Sequence, residues 1–225
     1  MIDYHCHLLP NLDDGSDSLA ESLEMARQLV KAGFQTVHCT PHCMQGLYET
    51  TPDQVREGVA ALRRQLELAG IALRLETGME YYLDEFFPRR LDDLLPLGDT
   101  RMVLVEAPSQ VDSEQIEQNI YQLRRRRYIP LIAHPERSPV FSSAPISGIR
   151  ALFRRRNREF ATDNPLLAKL GEMGCQFQGN LGSFSGFYGA RVKKRAETLK
   201  EAGIYHCYGT DAHRARQIPQ LGISG

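Results

Sequence analysis

Two histidines near the start of the chain, His5 and His7, could bind a metal ion. They lie two residues apart in a short apolar run, and side chains of a β-strand alternate between its faces, so both imidazoles would point to one side. Two imidazoles on one face are a ready pair of metal ligands. The carboxylates of Asp13 and Asp14 follow in a turn closed by Gly15. A half-buried strand with two core histidines is the alternative that these residues alone leave open.

Further histidines and carboxylates recur where predicted strands end. The residues at or just past the ends of separate predicted strands are His5, His7, His42, Glu80, Glu106, His134, Asp211 and His213. In a β/α barrel the carboxyl ends of the strands converge on one face, where active sites are built. Imidazole and carboxylate together suit Mn²⁺, Fe or Zn²⁺. A carboxylate can also bridge two ions about 3.5–4 Å apart, which can clamp a phosphate or carbonyl oxygen. The sequence therefore predicts a metal site on this face.

The elements that must position these residues alternate between helix and strand. Apolar residues at helical spacing predict helices over residues 16–33, 51–69, 84–95, 113–127 and 190–203. Short apolar or alternating runs predict strands over residues 36–40, 71–77, 102–105, 129–133, 175–179 and 205–208. About seven such alternations favour an α/β fold with a parallel sheet, most simply a closed or nearly closed β/α barrel.

Composition narrows the classes of protein. The chain of 225 residues, 42% hydrophobic and 24% charged, fits one α/β barrel or a pair of small domains. Its net charge of −1 gives no electrostatic reason to expect a nucleic acid or an anionic membrane as partner. No apolar run is long enough to span a bilayer. The five cysteines are scattered without a Cys-x-x-Cys pair, which favours a reducing compartment. We expect a cytoplasmic protein without direct membrane insertion.

Six short motifs together resemble the PHP (polymerase and histidinol phosphatase) superfamily. They are His5-Cys6-His7, Thr40-Pro41-His42, Glu80, Glu106, His134-Pro135-Glu136-Arg137 and Asp211-Ala212-His213. Within the superfamily the chain is most similar to the bacterial capsular and exopolysaccharide protein-tyrosine phosphatases. That closer similarity rests on Asp-Asp-Gly after the first motif, on Gly46 and Tyr48 after Thr-Pro-His, and on glutamate at position 106.

The resemblance implies a distorted seven-stranded, TIM-like β/α barrel over a single domain, residues 1–225, with three divalent ions at the carboxyl ends of its strands. The implied ligands are His5, His7, Glu80 and Asp211 for the first ion, Glu80 as a bridge with Glu106 and His134 for the second, and Asp14, His42 and His213 for the third. Carboxylates at positions 14 and 106 favour Mn²⁺ or Fe over Zn²⁺ without excluding zinc.

The activity implied by the resemblance is hydrolysis of phosphotyrosine in a protein, by attack of a metal-bridging hydroxide on phosphorus. The implied partner is a bacterial tyrosine autokinase that controls polysaccharide export. The candidate catalytic residues are Arg137, Asp211 and Arg216. The guanidinium of Arg137 matches phosphate oxygens and could clamp them. Arg216, with Arg214 as the alternative, would be the arginine that family members carry after the Asp-x-His motif.

Other interpretations remain at this point. A cysteine-based phosphatase needs arginine six residues after its cysteine, and no cysteine of this chain has one. A small-molecule phosphatase of the histidinol phosphatase type and a metal-binding PHP module without turnover are both alternatives. The presence of all nine expected ligands argues against the module. The basic connecting segment, residues 138–164, fits either a solvated helix face or a surface that steers an acidic or phosphorylated partner.

Overall fold

Nine short strands and six α-helices alternate along residues 1–141 and 164–222, which this computed structural model describes. The strands are β1 (Ile2–Cys6), β2 (Thr36–Cys39), β3 (His42–Cys43), β4 (Arg74–Thr77), β5 (Glu80–Tyr82), β6 (Met102–Glu106), β7 (Ile129–Ala133), β8 (Gln176–Asn180) and β9 (Cys207–Gly209). The helices are α1 (Leu19–Lys31), α2 (Pro52–Leu68), α3 (Ser113–Arg125), α4 (Pro165–Glu172), α5 (Leu181–Ser185) and α6 (Ala190–Glu201). Short 3₁₀ helices span Phe87–Arg90, Pro139–Phe141 and Ala215–Leu221.

The strands form two parallel sheets that curl toward each other. One has the order β1-β2-β4, and the other has the order β3-β5-β6-β7-β8-β9. Cys6, at the end of β1, makes a parallel bridge with Ala212, just past β9. The amide of Asp211 donates to the carbonyl of His5 at 2.7 Å, so the first and last strands lie side by side. The expected α/β fold with a curled parallel sheet is confirmed in this broad, TIM-like form, whereas a count of seven strands is not.

Two interruptions explain the different strand count. The strand predicted over residues 36–40 ends at the first break, where Pro41 has no amide to donate to a ladder, and β3 beyond this break was not predicted. The second break lies at Gly78, where a Cβ atom would be 2.5 Å from Leu97 Cδ2. Beyond both breaks, His42 and Glu80 are register partners on neighbouring strands. Their side chains therefore lie next to each other on one face of the sheet.

Local sequence signals fix the first residues of the two long helices α1 and α2. Ser18 caps α1 by accepting a hydrogen bond from the amide of Glu21 at 3.2 Å. The Glu21 carboxylate does not close a capping box and instead accepts from the amide of Ala215 at 2.8 Å. Thr51 and Gln54 form a complete capping box at the start of α2. Glu21 thus ties α1 to the 3₁₀ helix that follows the last strand.

Some predicted elements differ from the structure. The helix predicted over residues 84–95 is wrong, since only Phe87–Arg90 is helical and in 3₁₀ form. The Asp84 side chain accepts from the amides of Phe86 and Phe87, both at 3.0 Å, and so holds this segment in a turn. Helices α4 and α5 were not predicted. Most of the basic connecting segment, residues 142–163, lies outside the described residues.

Two observations bear on the environment of the chain. Among the described residues, no helix has the length and apolar character needed to cross a membrane. All five cysteines are free thiols, and four of them are buried. They are packed as small core residues, which agrees with the absence of a disulfide framework in the prediction.

Candidate metal centre

The carboxylate of Glu80 lies at the centre of the face where the strands end. Its Oε2 atom is 3.1 Å from His5 Nε2, 3.5 Å from His7 Nε2 and 3.0 Å from His42 Nδ1. Its Oε1 atom is 3.2 Å from His134 Nε2. The side chain is almost fully buried, yet Oε2 makes no hydrogen bond. A buried carboxylate oxygen that faces imidazole nitrogens without a hydrogen bond fits a place at which a cation is shared.

The outer nitrogens of the first two histidines are already committed to acceptors. His5 Nδ1 lies 3.1 Å from Gln178 Oε1, and His7 Nδ1 lies 2.6 Å from Asp13 Oδ2. These acceptors hold a proton on each Nδ1, so each Nε2 is the nitrogen that can give up its proton and bind a metal ion. The two Nε2 atoms are 3.1 Å apart and face the Glu80 carboxylate. The two imidazoles and the carboxylate are therefore arranged in a way that a divalent cation would complete.

Three groups of side chains have ligand atoms that all lie within 4.8 Å of one another. The groups are His5, His7, Glu80 and Asp211; His7, Asp14, His42 and His213; and His42, Glu80 and Glu106. His134 adjoins the third group, with Nε2 at 3.9 Å from Glu106 Oε1. The structure thus brings all nine predicted ligands into one continuous cluster, while the assignment of each to an ion stays a prediction.

Exposure divides the cluster into a buried floor and an open edge. His5, His7 and Glu80 are at most 1% exposed. The side chains of Asp14 and Glu106, at opposite sides, are 51% and 26% exposed. A ligand would therefore approach over the edge between these two carboxylates.

Asp211 links the cluster to the predicted phosphate clamp. Its Oδ1 atom is 3.1 Å from His7 Nε2, while its Oδ2 atom accepts from Asn180 Nδ2 at 3.1 Å and from the Arg137 guanidinium. The carbon at the centre of that guanidinium lies 4.3 Å from the centroid of the Tyr188 ring. Arg137 is therefore held at the cluster by a carboxylate and an aromatic face. Its predicted contact with phosphate is not tested by this arrangement.

The two arginines after the last motif have different surroundings. Arg214 Nη1 donates to the carbonyl of Asp14 at 2.9 Å and also to that of Gly15. It thereby ties the segment after β9 to the turn after β1. The Arg216 side chain is exposed and makes no hydrogen bond or ion pair within the described part of the chain. Its predicted catalytic role stays a prediction.

Electrostatics show how strongly the cluster attracts positive charge. Burial alone would lower the pKa of His5, but Glu80 and Asp211 raise it to about 9. Burial and the neighbouring Glu80 raise the pKa of Glu106 above its ordinary value. Burial would raise the pKa of Asp211, yet His5 and Arg137 hold it well below its usual range. Burial and the charges of close neighbours in the cluster together cause these shifts in pKa.

Backbone geometry at the strand ends is also unusual. His134 and Asp211 have φ angles of 29° and 51°, in a region that residues other than glycine rarely adopt. Such conformations tend to occur at functional sites, where the surrounding structure imposes them. At Gly209 a Cβ atom would lie 2.5 Å from that of His5, so only glycine allows the last strand to approach the first histidine.

Sequence reasoning missed the residues that support the cluster from behind. Gln178 and Asn180 lie two apart on β8 and contact His5 and Asp211. Polar residues at alternate positions of an otherwise buried strand are a signal that could have found them. Glu136 is buried, and its Oε1 atom accepts from the amide of Asn180 at 2.9 Å. This glutamate of the His-Pro-Glu-Arg motif therefore braces β8 instead of facing the cluster.

Comparison with known proteins settles the family. Residues 1–222 match the family model for capsular polysaccharide synthesis, CpsB/CapC. The chain belongs to this family. The chain is 36% identical over 220 residues to the tyrosine-protein phosphatase YwqE of Bacillus subtilis, and the match covers 96% of this chain and 78% of that protein. It is 26% identical over 226 residues to the tyrosine-protein phosphatase CpsB of Streptococcus pneumoniae, covering 97% and 85%.

A solved structure supports the same relationship. It matches this chain with a TM-score of 0.80 and 35% sequence identity, and the match covers 97% of this chain and 81% of the chain in that structure. That work describes YwqE from Bacillus subtilis and CpsB from Streptococcus pneumoniae as unique metal-dependent tyrosine phosphatases. The resemblance to the capsular phosphatases, predicted from short motifs, is confirmed at the level of the family.

Proposed function

We propose that this CpsB/CapC chain is a metal-dependent protein-tyrosine phosphatase. The observation that carries the proposal is the buried Glu80 oxygen, which faces three imidazoles within 3.5 Å and makes no hydrogen bond. A side chain arranged in this way fits a metal bridge better than a structural ion pair. The identity of 36% to a tyrosine-protein phosphatase supports the choice of substrate.

The cluster would hold three divalent ions, with Mn²⁺ or Fe favoured and Zn²⁺ possible. The proposed ligands are His5, His7, Glu80 and Asp211 for the first ion, Glu80, Glu106 and His134 for the second, and Asp14, His42 and His213 for the third. When bound, such ions supply Lewis-acid polarisation of phosphate oxygens and lower the pKa of water. The hard carboxylates at positions 14 and 106 are the reason for favouring Mn²⁺ or Fe.

The residues of the chain itself would bind and orient the phosphate ester. Arg137 lies at the edge of the cluster with its side chain 29% exposed, so nitrogens not used by Asp211 can reach phosphate oxygens. Asp211 in turn is oriented by Arg137 and Asn180, which leaves its Oδ1 atom toward the histidines. A phenol leaving group, with a pKa of about 10, needs less protonation than an alkyl alcohol, which favours phosphotyrosine over phosphoserine.

The proposed substrate is a tyrosine-phosphorylated protein, namely a bacterial tyrosine autokinase of polysaccharide export. The reaction would take place in the cytoplasm. Residues 1–225 would form one domain. If β2 with β3 and β4 with β5 each count as one interrupted strand, the two sheets become a distorted seven-stranded barrel, an interpretation supported by the bridge between Cys6 and Ala212.

The test compares three substrates with Mn²⁺ present: a phosphotyrosine peptide, the matching phosphoserine peptide and histidinol phosphate. The proposal predicts preference for the phosphotyrosine peptide, and loss of activity in His42→Ala and with a chelator. Preference for histidinol phosphate would move the function to small-molecule metabolism. If none of the three is hydrolysed while metal is bound, the enzyme assignment is wrong.

A further inference from the structure

A cavity of ≈ 190 Å³ opens beside the cluster and shares one wall with it. The shared wall is formed by Glu106, His134 and Arg137. The other walls are the ring of Tyr82, the turn over residues 107–110, and Pro139. The cavity therefore adjoins the exposed edge of the cluster, and its mostly polar walls include the Tyr82 ring and the apolar side chains of Pro108 and Pro139.

We propose that this cavity binds the aromatic ring of the substrate and that Tyr82 selects aryl over alkyl phosphate esters. The inference rests on the proposed phosphatase function, because it assigns the side of the cluster on which the ester group lies. The phosphate would sit at the edge between Glu106 and Arg137, and the ring would fill the cavity next to Tyr82.

Strand geometry places Tyr82 where this role requires it. Tyr82 comes two residues after Glu80 on β5, so both side chains are on the same face of the sheet. Tyr82 is also the register partner of Glu106 on β6. The Tyr82 ring therefore lies beside Glu106, two residues beyond Glu80 along β5, where a group that extends from the cluster past Glu106 would meet it.

The Tyr82 ring borders the cavity with part of its surface open to a ligand. Its hydroxyl donates to Gln110 Oε1 at 3.4 Å, and the side chain is only half-buried. Across the cavity, the Ser138 hydroxyl donates to the carbonyl of Ala107 at 2.9 Å, which fixes the facing wall. Aromatic rings attract one another in offset or edge-to-face arrangements. These features suit a planar aromatic group better than a flexible alkyl chain.

A second tyrosine at the cluster is less suited to this role. Tyr48 lies on the opposite edge, where its ring stacks on His42 with 5.6 Å between centroids and 13° between planes. One face of that ring is already used by a proposed metal ligand. The cavity at Tyr82, in contrast, is lined by the cluster residues Glu106, His134 and Arg137. We therefore assign the aromatic ring of the substrate to the Tyr82 side.

The test uses calorimetry to measure how tightly the metal-loaded protein binds two phosphonates. Neither phosphonate can be hydrolysed. Phenylphosphonate carries the aromatic ring, and methylphosphonate lacks it. We expect the wild-type protein to bind phenylphosphonate about tenfold more tightly, since burial of a ring is worth at least that factor. Tyr82→Ala should reduce the ratio to about one to twofold, with methylphosphonate affinity unchanged. Tyr82→Phe should retain the wild-type ratio.

Control variants separate this inference from general damage. Tyr121→Ala removes a tyrosine that is 56% exposed on α3, and it should retain the ratio. If Tyr82→Ala fails to fold, Tyr82→Leu keeps most of the volume without the aromatic face and should also lose the ratio.

Three results would overturn the inference: equal binding of both phosphonates by the wild type, an unchanged ratio in a folded Tyr82 variant, or loss of the ratio in Tyr48→Ala alone. Failure of the wild type to hydrolyse a phosphotyrosine peptide, with the ratio as expected, would instead overturn the proposed function and support the subsite.

Discussion

Asp13 Oδ2 lies 2.6 Å from His7 Nδ1 and also accepts the amide hydrogen of His42 at 2.9 Å. One carboxylate therefore orients the side chain of one proposed ligand and the backbone of another. Burial would raise the pKa of Asp13, but the contact with His7 holds it well below its usual range. A carboxylate behind a metal-binding imidazole fixes its tautomer and increases its basicity. Asp13 is accordingly central to metal binding without being a proposed ligand.

Replacement of this carboxylate tests that role. Asp13→Asn keeps the shape but removes the charge behind His7, and it should weaken Mn²⁺ binding by about 10–100-fold. Calorimetric titration of metal-free protein measures the change. Asp17→Asn, at an exposed position before α1, is the matched control. Equal Mn²⁺ affinity in wild type and Asp13→Asn would contradict the proposed support of His7.

The stacking of Arg137 on Tyr188 leads to a second prediction. Tyr188→Leu removes the aromatic face under the guanidinium and should lower kcat/KM for a phosphotyrosine peptide by about 3–10-fold. Tyr188→Phe keeps the face and should stay within about twofold of wild type. Arg137→Ala should cost about 100-fold, the usual order for loss of a charged transition-state contact.

The same series contains its own control. Arg56→Ala breaks an exposed pair with Asp53 on α2 and should leave kcat/KM unchanged. An equal loss in Tyr188→Phe and Tyr188→Leu would show that the hydroxyl, which both variants lack, and not the ring face, positions Arg137.

The raised pKa of His5 predicts how metal binding depends on pH. A histidine with a folded-state pKa of about 9 stabilises the metal-free protein fully below about pH 6.5, and this contribution is lost as the pH rises toward 9. Metal ions must displace that proton, so they compete better over the same range. The increase in Tm caused by Mn²⁺ should therefore grow from about pH 6.5 to about pH 9. Thermal unfolding with and without Mn²⁺ measures it.

His5→Gln provides the comparison for the pH series. With the titrating imidazole removed, the increase in Tm should be smaller and should depend less steeply on pH. An increase that stays constant or shrinks as the pH rises in the wild type would contradict the assignment of His5 as a ligand that exchanges its proton for metal.

The close approach of Gly209 to His5 predicts a loss of stability. Gly209→Ala places a Cβ atom 2.5 Å from that of His5 and should lower the free energy of unfolding by about 1–3 kcal/mol. Gly171→Ala, in α4 with its nearest other atom 4.0 Å away, should be neutral or slightly stabilising. Urea denaturation of both variants tests the contrast, and equal stability of the two would show that the strands relax around the added methyl.

Much of the cluster could be predicted, because the spacing of apolar residues locates each strand and the polar residues at its end follow directly in the sequence. Residues at the ends of parallel strands converge wherever those strands pair, so His42 and Glu80 were assigned to one face without knowledge of their register. The supporting residues could not be found in the same way. Gln178 reaches His5 across a sequence separation of 173 residues, which depends on how the sheet curls.

Other differences also have physical reasons. Thr40-Pro41 and Gly78 interrupt the strands. The sequence pattern alone does not show that Leu97 packs against Gly78. His206, within the strand predicted over residues 205–208, is exposed and lies just before β9, where its Nδ1 atom accepts from the amide of Phe177 at 3.2 Å. Whether a residue next to a strand end is buried depends on how that strand is aligned with the neighbouring strand, and the sequence does not determine this alignment.

We propose above that a metal cluster built around Glu80 hydrolyses phosphotyrosine. The most direct measurement is phosphate release from a phosphotyrosine peptide by metal-free protein titrated with Mn²⁺, in wild type and Glu80→Gln, with bound metal counted in each. We predict that activity of the wild type rises with Mn²⁺ and disappears with chelator, whereas Glu80→Gln binds fewer ions and loses at least about 100-fold in rate. Wild-type activity without metal, or undiminished activity in Glu80→Gln, would contradict the account.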